Sequence, residues 1–188
     1  MAKSLKIVKM QRGMFLEWIR KGQHKLSGVI KMLKKNWKTY ALFVGITLFI
    51  GALSGFLSRN GMQDFEETVA QPPLSPPMIL FPIVWSVLYI LMGIGAARVY
   101  LSGAELGKNR CLNLYVVQLT FNFFWSLIFF NAAAYGFALF WLLLLLGLVI
   151  WMTVCFWQRD RLSALLQIPY ILWLIFAAYL NYGIWQLN

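Results

Sequence analysis

Residues 72–99 read PPLSPPMILFPIVWSVLYILMGIGAARV, and this stretch decides the fold. Two Pro-Pro pairs precede a long apolar run. Pro76 and Pro77 suit the first turn of a helix, where a proline removes only an N–H group that has no partner. Pro82 lies further along the run and is expected to bend the helix or to free a backbone carbonyl. The sequence therefore predicts a membrane-spanning helix with an irregularity near its start.

One face of this predicted helix is aromatic. Four large side chains follow one another at steps of four, four and three residues, which places them on the same face: Phe81, Trp85, Tyr89 and Met92. Beside a bend, such a face suggests a pocket for a flat ligand. An aromatic face that contacts lipid or packs against another helix is the alternative.

Composition points to an integral membrane protein. Of the 188 residues, 61% are hydrophobic and 12% are charged, which is about half the charged fraction of a soluble domain. The net charge of +11 is concentrated near the N-terminus, because residues 1–38 hold 11 of the 17 basic residues and one acid, Glu17. This distribution favours contact with anionic lipid headgroups and argues against nucleic acid as a partner.

The chain is expected to have two parts, a basic N-terminal arm at residues 1–38 and a transmembrane domain at residues 39–188. Apolar residues recur in the arm at a rough helical spacing, which predicts an amphipathic helix on the cytoplasmic membrane surface. A disordered basic tail is the alternative. The arm is not expected to be a signal peptide, since charges interrupt every apolar run in it.

The transmembrane domain is predicted to be an all-α bundle of five helices. Spans are expected at about residues 39–57, 78–101, 111–130, from the break at 131–136 to Trp157, and 162–184, with a long polar loop at residues 58–75. With a cytoplasmic N-terminus, 16 of the 17 basic residues fall on the cytoplasmic side. The positive-inside rule therefore predicts an N-in, C-out protein, in keeping with a bacterial cell membrane.

Two further spans carry candidate ligand-binding residues. Gln118, Asn122 and Trp125 share one face of the third span, where the amides serve either a pocket or hydrogen bonds between helices. In the fifth span, a proline that interrupts the helix, a large ring and a small residue are spaced by four: Pro169, Trp173 and Ala177. If these faces converge with that of the second span, they enclose a planar hydrophobic ligand such as a tetrapyrrole or a sterol.

The sequence gives little support for conventional catalysis or for metal binding. Cys111 and Cys155 fit neither a disulfide framework nor a metal motif and are expected to be inert buried residues. The one histidine, His24, has no acidic or thiol residue near it in the sequence. We identify no nucleophile paired with a base, so we assign no catalytic residue, no metal ligand and no required cofactor.

Three segments together resemble the tryptophan-rich sensory protein/translocator protein family, also known as the TspO/MBR or peripheral benzodiazepine receptor family. They are the Pro76-Pro77 pair with FPIVWSVLY at 81–89, QLTFNFFW at 118–125, and IPYILW at 168–173 with LNY at 180–182. With the five predicted spans, the resemblance covers about residues 40–188. It implies a five-helix bundle, commonly a homodimer, with a ligand pocket beneath the first loop.

The resemblance also implies a function. Family members bind porphyrins, eukaryotic ones also bind cholesterol and synthetic drugs, and some bacterial ones promote light-dependent porphyrin breakdown. The expectation is a membrane receptor or sensor for a protoporphyrin IX-like ligand that regulates tetrapyrrole or stress responses; the alternatives are a light-dependent porphyrin-degrading protein and a transporter of tetrapyrroles or lipids. By position, the family's pocket residues and their neighbours correspond to Phe81, Trp85, Tyr89, Asn122, Trp125, Trp173 and Ala177.

The chain departs from the family pattern at three places. In the first loop, Phe65-Glu66 replaces a Trp-Tyr pair, Gln71-Pro72 replaces Lys-Pro, and Leu74 or a neighbour replaces a Trp. After Tyr182 there is no Lys or Arg to complete the family's cholesterol consensus. The basic arm is longer than the family's N-terminus.

Overall fold

The computed structural model describes the backbone of residues 2–103 and 107–188, and the side chains of Glu17, Arg20 and residues 36–103 and 107–188. All regular secondary structure in these residues is helical. Five helical segments are long and apolar enough to cross a membrane, which confirms the predicted five-span architecture. The helices are α1 Ala2–Thr68, α2 Leu80–Leu101, α3 Lys108–Ser126 with a π-helical segment Leu127–Asn131, α4 Tyr135–Trp157, α5 Arg161–Leu165 and α6 Ile168–Leu187.

The chain divides into two units, Met1–Thr39 and Tyr40–Asn188. In the first unit, the helical dihedral angles are interrupted at Asn36, where φ is −116° and ψ is 21°. The amphipathic face predicted for the arm depends on side chains that lie outside the described residues, so it stays a prediction. The predicted domain boundary at residue 38 also stays a prediction.

In the second unit, α1 is longer than the sequence suggested. It continues to Thr68, so the predicted polar loop at residues 58–75 is wrong and the connection is only residues 69–79. The extra turns are held by Phe65, which is buried with its ring centroid 5.3 Å from that of Phe129. The charged residues of these turns lie on the exposed side of a helix, so they do not require a loop.

The start of α2 also differs from the prediction. The helix begins at Leu80, so Pro76 and Pro77 precede it in a turn, where the Leu80 N–H donates to the Pro77 carbonyl at 2.9 Å. Pro82 is the third residue of α2 and occupies the first turn, where a proline costs no helical hydrogen bond. The predicted bend depends on Pro82 lying in the interior of the helix, and that premise is therefore wrong. The interruption expected at Pro169 is present, because α5 and α6 are separate helices and Pro169 is the second residue of α6.

Helix α4 is the centre of the apolar core and packs against α3, α5 and α6. Its fully buried side chains recur at steps of three and four, as expected for one helix face. They are Ala138, Leu142, Leu145, Val149, Met152 and Phe156. This stripe positions α3 and α6, which carry most of the remaining candidate residues.

Hydroxyl groups hold helix α1 against α3, beside a ring contact between Phe43 and Tyr115 whose centroids are 6.2 Å apart. Ser54 and Ser126 are hydrogen-bonded at 2.6 Å, and Ser58 approaches the same Ser126 hydroxyl at 3.0 Å. Further along, Thr47 is hydrogen-bonded to the Tyr115 hydroxyl. Small polar residues let helices approach closely in a membrane, and their hydrogen bonds replace the hydrophobic effect that lipid cannot provide.

A disulfide joins α3 and α4. Cys111 and Cys155 are bonded, with their Cα atoms 5.5 Å apart, so the expectation of two inert cysteines is wrong. Cys111 is the fourth residue of α3 and Cys155 the third from the end of α4, so the antiparallel packing of two helices brings them together. A separation of 44 residues in the sequence gives no sign of that pairing.

The same end of the bundle carries an ion pair between α2 and the turn after α4. The Arg98 guanidinium donates to the Asp160 carboxylate from Nε at 2.6 Å and from Nη2 at 2.9 Å. Asp160 also accepts from the Ser163 N–H at 2.9 Å and so caps α5. Burial opposes ionisation of Asp160, but the hydrogen bonds from Arg98 and Ser163 outweigh it, and its pKa lies below the ordinary value.

Candidate ligand-binding cavities

A cavity of about 470 Å³ lies between α1, α2 and α3, and we call it the span cavity. Its volume is in the range of small-molecule sites, about 300–1,000 Å³. Aromatic side chains and small residues make up most of its wall. The lining includes Gly51, Ser54, Gly55, Met62, Phe81, Trp85, Ser86, Tyr89, Asn122, Trp125, Ser126 and Phe130.

The aromatic face predicted for α2 lines this cavity. The Trp85 and Tyr89 ring centroids are 5.5 Å apart, and Tyr170 of α6 packs edge-on against Trp85 at 6.0 Å. Gly51 gives α1 its close approach here, because a Cβ at that position would clash with the Tyr89 ring. Trp85 and Tyr89 therefore pack against α6 and α1, respectively.

Asn122 lines the span cavity, but both ends of its amide already have partners. Tyr89 Oη donates to Asn122 Oδ1 at 2.6 Å, and Asn122 Nδ2 donates to Tyr170 Oη at 2.9 Å. The chain continues as Tyr170 Oη donates to Gln118 Oε1 at 3.2 Å. These bonds join α2, α3 and α6. Asn122 therefore has the interhelical role that is the alternative in the sequence analysis, and it also forms part of the cavity wall.

A second cavity of about 290 Å³ lies beneath residues 69–79, and we call it the loop-side cavity. Its walls come from the end of α1, the connection to α2, the end of α3 and the second half of α6. The lining includes Phe65, Glu66, Gln71, Ser75, Pro77, Phe81, Trp125, Phe129, Phe130, Ala177 and Asn181.

Side chains of α6 and of Asn188, the residue after it, hold the roof of the loop-side cavity by hydrogen bonds to its backbone. The Ala70 N–H donates to Asn188 Oδ1, and Asn188 Nδ2 donates back to the Ala70 carbonyl, each at 3.0 Å. Tyr179 Oη donates to the Pro73 carbonyl at 3.2 Å. The connection is thus a fixed lid over the cavity rather than a free loop.

Three rings line both cavities. Phe81 comes from the start of α2, Trp125 from the end of α3, and Phe130 from the π-helical segment. We call these three residues the aromatic partition. A π-helical turn is wider than an α-helical one and often occurs at functional sites, and this one contributes Phe130 to both cavities.

The structure brings together six of the eight predicted site residues. Five line the span cavity: Phe81, Trp85, Tyr89, Asn122 and Trp125. Ala177 lines the loop-side cavity, with Phe81 and Trp125. Pro169 and Trp173 line neither, because α6 begins at Ile168 and only its later turns reach the loop-side cavity. Trp173 instead packs edge-on against Phe81, with centroids 5.8 Å apart, and so supports the partition.

Sequence reasoning missed several residues of the two walls. Phe65 was assigned to a loop, and Phe129 and Phe130 occupy a π-helical segment that no sequence pattern indicated. Ser54 follows Thr47 by seven residues and Ser58 follows Ser54 by four, a helical stripe that was readable as the face of α1 toward α3.

Two buried polar atoms of the lining residues have no hydrogen-bond partner among the described residues. They are the donor Nε1 of Trp125 and the acceptor Oδ1 of Asn181. The Asn181 Nδ2 group donates to the Tyr135 carbonyl at 2.8 Å, so the orientation of this amide is fixed. No cluster of three metal-binding side chains occurs in the part of the chain whose side chains are described.

Comparison with known proteins gives the family. The profile of the TspO/MBR family matches residues 43–186. The tryptophan-rich protein TspO of Chlorobaculum tepidum is 32% identical over 162 residues, covering 83% of this chain and 99% of that protein. Protein CrtK of Rhodobacter capsulatus is 35% identical, covering 79% of this chain and 92% of that protein. The human translocator protein is 36% identical, covering 79% and 88%. The chain therefore belongs to the TspO/MBR family and is an integral membrane protein.

Proposed function

We propose that this protein is a membrane receptor that binds a planar hydrophobic ligand of the porphyrin type, such as protoporphyrin IX, in the span cavity. The observation that carries the proposal is an apolar cavity of about 470 Å³ whose wall includes Phe81, Trp85, Tyr89 and Trp125. Aromatic rings bind a flat conjugated guest by offset stacking and edge-on contact. The translocator and TspO names of its relatives support a receptor or translocator role.

The polar atoms of the cavity agree with such a ligand. Asn122 and Tyr89 are occupied by each other, so most of the wall is apolar to the guest. Trp125 Nε1–H is buried and has no hydrogen-bond partner among the residues that the structure describes, so it suits an acceptor on the periphery of the ligand. The charge distribution of the chain supports an orientation with the basic arm in the cytoplasm, as expected for a bacterial cell membrane.

Titration of protoporphyrin IX into the protein in zwitterionic nanodiscs tests this proposal, with the porphyrin absorption band as the readout. We expect a saturable band shift in the wild type. Trp85→Leu is expected to weaken binding by about tenfold, because it removes a ring from the wall. Trp157→Leu is the matched control, since Trp157 is exposed and lines neither cavity.

Two results contradict the proposal. One is the absence of a saturable shift in the wild type beyond that of empty nanodiscs. The other is an equal loss of affinity in Trp85→Leu and Trp157→Leu, which would place the porphyrin on the outer surface of the bundle.

A further inference from the structure

The two sulfur atoms of the disulfide between α3 and α4 differ in exposure. Cys111 is fully buried, whereas Cys155 is partly exposed. Cys155 lies three residues before Gln158, the first residue of the polar turn after α4, which is about 4.5 Å along the helix axis. A thiol that approaches from water therefore meets Cys155 Sγ first, and Cys111 Sγ is then the leaving sulfur.

A guanidinium group lies close to the disulfide, on the side of the polar turn. Cys111 and Cys155 join two antiparallel helix ends, and Gly107 and Arg159 each lie four residues from them toward the polar end. The Arg159 side chain packs against Gly107, because a Cβ there would clash with Arg159 Nη2. Arg159 Nε–H is buried and has no hydrogen-bond partner in the part of the chain whose side chains are described. An unused cationic donor therefore lies beside the disulfide.

A second guanidinium group lies on the other side of Cys155. Trp151 is one turn before Cys155 on the same face of α4, and the Arg110 guanidinium lies over its ring, 5.4 Å from the centroid. The acid described at this end of the bundle, Asp160, is paired with Arg98. The two guanidinium groups therefore favour an incoming thiolate and a leaving thiolate over neutral thiols.

The start of α3 also stabilises a thiolate on the leaving sulfur. Cys111 is the fourth residue of α3, and the side chains of a helix tilt toward its N-terminus. The first N–H groups of a helix have no helical partner and carry the positive end of the helix dipole. A thiolate that is stabilised in this way leaves a disulfide more readily.

From these observations, we propose that the bond between Cys111 and Cys155 is a thiol–disulfide exchange site for a small anionic thiol. The thiolate attacks Cys155 Sγ and forms a mixed disulfide, and the S–S bond breaks with its electron pair on Cys111 Sγ. A second small thiolate attacks the sulfur of the bound thiol and releases Cys155 as a thiolate. Two small thiols are thereby oxidised to one disulfide, and the two protons that they lose are taken up by the two cysteines.

The exchange site is independent of porphyrin binding, because neither cysteine lines the span cavity or the loop-side cavity. Its location on the cytoplasmic side of the membrane rests on the orientation proposed above. In that compartment most protein thiols are kept reduced, and the disulfides that form are usually catalytic or redox-sensing. The ratio of small thiols to their disulfides then sets whether α3 and α4 are cross-linked.

Reduction of the purified protein in phosphatidylcholine nanodiscs tests the proposal, and both faces of the protein are accessible there. The probes are three thiols with one two-carbon skeleton: anionic 2-mercaptoethanesulfonate, neutral 2-mercaptoethanol and cationic 2-mercaptoethylamine. Each rate is divided by that of the same thiol with bis(2-hydroxyethyl) disulfide, which corrects for the reactivity of the thiol itself. We expect the normalised rate of the sulfonate to exceed that of mercaptoethanol by about fivefold, and the amine to be the slowest.

Two arginines separated by one residue give a matched pair of variants. Arg159→Gln removes the guanidinium beside the disulfide and is expected to remove most of the preference for the sulfonate. Arg161→Gln changes the net charge by the same amount and is expected to keep the preference. The reason is that Arg161 lies over Trp157, which is two residues after Cys155 and so faces the other side of α4.

Mass spectrometry of the first product identifies the attacked sulfur. The reaction is run with iodoacetamide present, so that the cysteine released in the first step is alkylated before it can attack again. We expect mercaptoethanesulfonate on Cys155 and the alkyl group on Cys111.

The proposal is overturned if the three thiols have equal normalised rates, if the wild type resists all three, or if the small thiol is found on Cys111. It is also overturned if Arg159→Gln and Arg161→Gln lose the preference equally. If circular dichroism shows that Arg159→Gln is unfolded, the wild type alone decides the matter. Raising the salt concentration to about 0.5 M is expected to remove most of the advantage of the sulfonate, and an advantage that salt leaves unchanged overturns the proposal.

Discussion

Helices α1 and α4 are both apolar spans, yet they are built in opposite ways. Of the most apolar window of each span, 17% of α1 is buried against 33% of α4. Helix α4 presents an unbroken apolar stripe to its neighbours, and none of its residues lines either cavity. Helix α1 contacts α3 through three of its hydroxyl groups and the Phe43 ring, and it forms one wall of the span cavity. The comparison shows that the span cavity lies against the less buried helix and that the packed apolar core lies around the other.

The largest effect is expected from the α4 stripe. Leu142→Ala removes a fully buried side chain and is expected to lower the free energy of unfolding by about 2–5 kcal/mol. Leu143→Ala is the matched control on the same helix, since Leu143 is 52% exposed and its truncation leaves no internal cavity. Thermal unfolding in detergent measures both. Equal losses in the two variants would contradict the role given to the α4 stripe.

A somewhat smaller effect is expected from the disulfide between α3 and α4. Replacing both Cys111 and Cys155 by Ser is expected to cost about 2–4 kcal/mol of stability, because the cross-link restricts the unfolded chain. A reductant should lower the stability of the wild type and leave that of the double variant unchanged. Porphyrin affinity is expected to stay the same in both, since neither cysteine lines a cavity. A loss of porphyrin affinity without a loss of stability would contradict the conclusion that the packed core and the cavities are separate parts of the bundle.

The smallest effect is expected at the hydroxyl contacts of α1. Ser126→Ala removes the group shared by Ser54 and Ser58 and is expected to cost about 0.6 kcal/mol, and at most roughly 1.7 kcal/mol. Thr120→Ala is the control, because the Thr120 hydroxyl bonds only to the Val116 carbonyl of its own helix. Porphyrin binding should change more in Ser126→Ala than in Thr120→Ala, because Ser126 lines the span cavity. A larger loss of stability in Ser126→Ala than in Leu142→Ala would contradict the conclusion that the α4 stripe contributes more to stability than the hydroxyl contacts of α1.

Much of this architecture was predictable, because it depends on local composition and spacing. Runs of apolar residues determine the five spans, and a spacing of four placed Trp85 and Tyr89 on one face. The amide of Asn122 was expected to need partners, and it has two. These inferences require only that the chain be helical and that buried polar groups be paired.

The rest depends on contacts between residues that are distant in sequence. Charged residues after Ser58 suggested a loop, but they occupy the exposed side of a helix whose other side buries Phe65. Cys111 and Cys155 meet only because α3 and α4 are antiparallel. Ala177 and Trp173 lie on the same face of α6, yet only Ala177 lines a cavity. The point along the bundle at which α6 begins decides which of its turns faces the loop-side cavity, and the sequence does not show that point.

The aromatic partition has a consequence for how the two cavities influence each other. Phe81, Trp125 and Phe130 each have one side toward each chamber, so a guest that shifts a ring in one chamber reshapes the other. Thermodynamic linkage then requires reciprocity: whatever factor one guest applies to the dissociation constant of the second, the second applies to that of the first. Two guests bound at once would therefore be coupled through these three rings, with no contact between the guests themselves.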